Sequence, residues 1–131
     1  MTMHLPSDST LAELAKAYCR KYSSKESANN MADFEIFERA SDLVKGNPEA
    51  ALTFILLAIR EKPNDFAFAN LAAGPLEDLL VLHGEKMIGT VENEAKQNSD
   101  FDDLLGGVWL GRMKPEVADR VAHARSAIWK D

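Results

Sequence analysis

The sequence predicts an all-α fold: a compact bundle or a short stack of helical pairs, with about seven or eight helices. Three observations carry this prediction. Apolar residues recur at helical spacing through most of the chain. No stretch of five or more residues alternates convincingly with period two, so strands lack a signal. Helix punctuation, such as Asn47-Pro48 and Gly74-Pro75, returns at short intervals.

The first helix is expected to start near Thr10, which has capping-box spacing to Glu13. Leu11, Leu14, Ala15 and Tyr18 give it one apolar face. Residues 23–30 are polar and read as a flexible linker, as do residues 1–9. A second helix spans about 31–45, with Phe37, Ala40 and Val44 inward, Ile36 and Leu43 beside them, and Glu35 paired to Arg39. Gly46 stops it. Asn47 then caps a third helix, about 48–61, with Pro48 in its first turn. This helix is apolar nearly all round, which places it at the centre of the fold. Asn64 or Asp65 caps a short fourth helix, about 65–73. Gly74-Pro75 breaks it and opens a fifth, about 75–83, closed by Gly84. A sixth covers about 85–97. Ser99 caps a seventh, about 100–106. Pro115 opens the last, about 115–129, with the stripe Val117, Val121, Ala124 and Ile128 and a Glu116–Arg120 pair.

A chain of 131 residues is expected to form one domain, residues 1–131. No stretch reaches the roughly 20 apolar residues that span a bilayer. No secretory signal opens the chain, so a cytoplasmic location is expected. The single Cys19 excludes an internal disulfide and a cysteine-rich zinc site, and among apolar neighbours it reads as an inert thiol. The formal charge of −6 is uneven. Residues 61–103 hold 10 acidic and 3 basic groups, whereas residues 104–131 hold 5 basic and 3 acidic. Such a middle disfavours nucleic acid and suits a basic protein partner, although acidic residues also simply confer solubility.

The block Leu71–Gly84 sets Glu77, Asp78 and His83 into an apolar stretch. On a helical projection Leu76, Leu79, Leu80 and His83 form one stripe. Glu77 lies at its border and Asp78 opposite. Buried charge is costly and needs a partner. Glu77 is therefore either part of a polar site or a structural acceptor for backbone amides or an arginine. His83 is either a site residue or a donor to a carbonyl at its own helix end. Asp78 is solvated or belongs to an acidic contact surface. Trp109, beside Gly107 and Gly111, is a core anchor or, with Arg112, an interface hot spot. Trp129 is expected to be partly exposed, covering the first helix or a partner. His4, His83 and His123 have no second ligand at metal spacing. No nucleophile elbow, Walker loop or dinucleotide fingerprint is present, and nothing points to a cofactor or catalytic residue.

Ala73-Gly74-Pro75-Leu76-Glu77-Asp78-Leu79-Leu80, then His83-Gly84, then Leu104-Leu105-Gly106-Gly107-Val108-Trp109, resembles a family of small bacterial all-helical proteins of unknown function. The resemblance covers about residues 48–110. It implies a helical fold and bacterial origin, and it implies no chemistry.

Three functions compete. The leading one is a protein-binding module, in its specific form an immunity protein neutralising a basic toxin. Glu77, Asp78, His83, Trp109 and Arg112 are its candidate contact residues. The second is a small-ligand-binding protein or enzyme using the Glu77/Asp78/His83 region. The third is a tetratricopeptide-like adaptor, suggested by residues 47–65 although no second copy lies about 34 residues away.

Overall fold

The computed structural model describes residues 8–29 and 34–129. Every regular element among them is helical. In chain order they are α1 (Asp8–Lys21), α2 (Lys25–Ala28), α3 (Phe34–Gly46), α4 (Pro48–Arg60), α5 (Asp65–Leu71), a π-helical segment (Ala72–Leu76), α6 (Glu77–Gln97), α7 (Ser99–Leu105) and α8 (Pro115–Ala124). None of these helices is long and apolar enough to cross a membrane.

The apolar sequence of α4 puts it at the centre. Ala51, Phe54, Ile55 and Ala58 are wholly enclosed, and α1, α3, α6 and α7 all touch this helix. The helices thus gather compactly around α4. The predicted face of α1 packs inward: Leu11, Leu14, Ala15 and Tyr18 are buried. The Tyr18 ring meets Phe54 edge-on, with centroids 5.5 Å apart. Local chemistry sets the helix starts. Asn47 accepts the Ala50 N–H at 3.2 Å with Pro48 in the first turn. Asn64 accepts the Ala67 N–H at 2.9 Å.

Several expectations give way to tertiary contacts. Helix α1 starts at Asp8, before Thr10. The expected linker contains the single turn α2, capped by Ser24, whose hydroxyl accepts the Ser27 N–H. Residues 1–7 and the start expected for the second helix, 31–33, lie outside the described residues. In α3, Ala40 and Val44 enter the core, but Phe37 is 48% exposed and stacks on Phe34 at 5.9 Å. The cap of α7 is Asn98, not Ser99; its side chain accepts from Asp100 and Phe101. Helix α8 stops at Ala124, where Arg125 turns extended, and Ile128 is exposed. Arg120 reaches across to Glu92 of α6 instead of pairing with Glu116.

The largest difference concerns Gly84, expected to end a helix. Helix α6 runs through it, with a kink at His83 (φ −131°, ψ 25°). Gly84 is buried against α8: a Cβ there would sit 2.7 Å from Val117 Cγ1. Close approach of two helices is what the missing side chain permits.

Cys19 is half-buried on α1, with Sγ 3.5 Å from the Ala58 carbonyl oxygen. Burial, with a smaller push from Glu61, raises its pKa to about 11. Labelling of the native protein by a thiol reagent at about pH 8 is therefore expected to be slow, accelerating only on unfolding. Rapid labelling of folded protein would contradict this placement.

Candidate functional site

The site is built where the helix axis is disturbed. Pro75 has no N–H to give to the carbonyl four residues back, Leu71, and the chain widens into the π-helical segment instead of breaking. The Tyr18 hydroxyl donates to the neighbouring Asn70 carbonyl at 3.3 Å. Pro75, Leu76, Leu79 and Leu80 are buried, so the first turn of α6 is anchored and its two carboxylates are placed with precision.

Glu77 is only 7% exposed. Its Oε1 accepts the Trp109 backbone N–H at 2.8 Å, and its Oε2 accepts from Arg112 at 2.9 Å. Both structural partners expected for it, an amide and an arginine, are present together. The same Arg112 nitrogen donates to Asp78 Oδ1 at 3.0 Å. Hydrogen bonding to Glu77, then to Asp78, holds the guanidinium still more firmly protonated than usual. The charge of a nearly enclosed carboxylate is thus compensated by one guanidinium and one amide dipole.

This clamp fixes the loop that carries Trp109. The indole is 63% exposed and lies over Gly111, where a Cβ would collide with the ring. The core-anchor reading of Trp109 is thereby overturned, because the clamp holds its backbone while its ring faces outward. Trp129 is partly exposed, but it does not cover α1. It packs on Gly107, stacks on Phe68 at 5.7 Å, and donates from Nε1 to the Asp103 carbonyl at 2.8 Å.

His83 stands apart. Its Nε2 lies 3.1 Å from the Lys45 carbonyl oxygen in the last turn of α3, where a ring N–H donates to an otherwise unpaired helix-end carbonyl. The helix it serves is α3, not its own. Glu77, Asp78, Trp109 and Arg112 therefore meet, and His83 does not join them. No group of three or more His, Cys, Asp or Glu among the described residues could hold a metal ion.

Beside the clamp, between α1, α3 and the π-helical segment, is a cleft of about 220 Å³. Tyr18, Tyr22, Phe37, Ser41, Asn70, Pro75 and Asp78 line it. Burial pushes the Tyr18 hydroxyl far above its ordinary range, and Asp78 adds a smaller push. Apart from Asp78 and the core residues, these positions carry no mark in the sequence as site residues. The lining comes from α1 and the turn after it, α3, α5, the π-helical segment and α6, and the only local signal is Gly-Pro inside an apolar helix.

Four of the ten acids in the middle segment are answered by cations within the fold. Glu77 and Asp78 pair with Arg112, Glu85 with Lys114, and Glu92 with Arg120. All three cations come from the basic segment 104–131. Asp65, Asp100 and Asp103 gather instead at the opposite side of α5, in a shallow cleft whose one lining cation is Lys62.

The model of a family of unknown function (DUF6869) covers residues 23–128, wider than the motif-bearing stretch 48–110. No curated protein and no solved structure matches.

Proposed function

Since the chain belongs to the DUF6869 family, whose function is unknown, we propose from its own geometry that it is a protein-binding module centred on Trp109. One observation carries this: a large aromatic side chain stays mostly exposed while its backbone amide is locked to a buried carboxylate. A Trp held at its backbone and an Arg already held by two carboxylates have less freedom left to lose on contact, and both residue types are enriched at interface centres. Arg112 and Asp78, both about half-exposed, supply polar groups beside the ring. An immunity protein that neutralises a basic toxin is the specific form of this reading. The net charge of −6 and the Asp65/Asp100/Asp103 cluster support it.

The test compares wild type, Trp109→Ala and Ile128→Ala as baits for proteins of the source organism, at low and high salt. One partner should be retained by wild type and by Ile128→Ala. Trp109→Ala should weaken it by about 2 kcal/mol, roughly 30-fold, with thermal stability unchanged. Equal retention by all three baits would rule out this contact surface.

A further inference from the structure

We propose that the cleft between α1, α3 and the π-helical segment binds a small organic cation, an ammonium or guanidinium group carried on an apolar body. The inference does not rest on the Trp109 surface, although Asp78 borders both. It rests on which hydrogen-bonding capacities the cleft has left. The Tyr18 hydroxyl already donates to the Asn70 carbonyl, so its oxygen faces the cleft as an acceptor. The Asn70 amide nitrogen donates to the Phe66 carbonyl at 2.8 Å, which turns its oxygen to the same use. Asp78 accepts Arg112 through Oδ1, and Oδ2 is the atom offered to a ligand. Ser41 can serve either way. A wall that chiefly accepts calls for a ligand that donates several times.

Charge points the same way. Asp78 is the one acidic or basic side chain lining the cleft, and it shares Arg112 with Glu77, so two carboxylates face one guanidinium there. Lys21 lies 5.3 Å from the Tyr22 ring centroid, but its ammonium donates to the Ala28 carbonyl at 2.8 Å and does not line the cleft. The Tyr22 and Phe37 rings and the Pro75 ring supply apolar walls, and aromatic faces attract cations. The volume of 220 Å³ equals about seven waters at roughly 30 Å³ each. That suits an amine of modest size and falls below the roughly 300 Å³ at which drug-sized ligands begin.

Two sources of this chemistry exist, a free small amine and a basic side chain of a protein. The full chain is titrated, with amide shifts followed by NMR, using phenethylammonium and N-acetyl-arginine amide. Each is run beside its neutral counterpart, 2-phenylethanol and N-acetyl-citrulline amide. Saturable shifts are expected at Tyr18, Tyr22, Ser41 and Asn70. Asp78→Asn should weaken the cation by about tenfold or more, as loss of a charge-assisted hydrogen bond implies, and each neutral counterpart should bind as weakly. Ala73→Leu, at an exposed position on the rim, should block the cleft without altering charge. It also decides the matter if Asp78→Asn fails to fold. Tighter phenethylammonium supports the site with a free amine as its ligand; tighter arginine amide supports it with a basic side chain. No saturable shift with either cation, neutral counterparts binding equally well, or binding unchanged in both Asp78→Asn and Ala73→Leu would overturn the proposal.

Discussion

Replacing Glu77 by alanine is expected to cost about 2–4 kcal/mol of stability, because a nearly enclosed carboxylate with two partners is removed at once. The Trp109 amide loses its acceptor, and Arg112 keeps only Asp78. Arg112 is half-exposed, so water compensates it in part, which keeps the estimate below that for a fully buried pair. For a domain of this size the melting temperature should fall by roughly 10 °C. Glu77→Gln keeps an acceptor for the amide and should cost clearly less. Arg112→Met leaves the nearly enclosed Glu77 carboxylate with only the Trp109 amide, an uncompensated buried charge, and should cost at least as much as Glu77→Ala. Thermal melts of the three variants test this order. If Glu77→Ala melts with wild type, the clamp contributes nothing to the fold. If Glu77→Gln keeps its melting temperature yet loses the partner, the carboxylate acts at the contact surface itself.

The second large effect is at Gly84. Alanine normally favours a helix over glycine by about 1 kcal/mol, and the backbone here has no positive φ to forbid it. The added Cβ would nevertheless meet Val117, a branched, fully buried side chain, at 2.7 Å. Overpacking of this kind costs about 1–3 kcal/mol, so Gly84→Ala should destabilise, and Gly84→Val more severely. Val117→Ala opens the space the new methyl needs. In a double-mutant cycle the pair Gly84→Ala, Val117→Ala should therefore lose less than the sum of the single variants. Strict additivity would show that α6 and α8 do not meet as closely as described.

These two positions also show what the sequence discloses and what it withholds. The caps at Asn47 and Asn64 and the inward face of α1 are legible because each depends on residues within one or two turns. So is the border position of Glu77, which follows from helical phase alone. Gly84 reads as a stop because local propensity is all a sequence shows, whereas its role is set by Val117, thirty-three positions on. Arg120 has a carboxylate four residues away in Glu116, yet the tertiary fold brings Glu92 to it. Phe37 satisfies the helical period of a core residue but is half-exposed at the cleft and stacks on Phe34. The cleft is the least legible part, since Tyr18, Ser41 and Asn70 become neighbours only when α1, α3 and α5 come together.

The pairing of α6 with the basic segment bears on how the chain comes together during synthesis. Translation delivers Glu77, Asp78, Glu85 and Glu92 before Arg112, Lys114 and Arg120 have left the ribosome. For that interval α6 carries its repelling carboxylates and the bare groove at Gly84. Docking of α8 together with the loop before it neutralises the first and fills the second, so the nascent chain reaches its cooperative folded state only when its last described helix emerges.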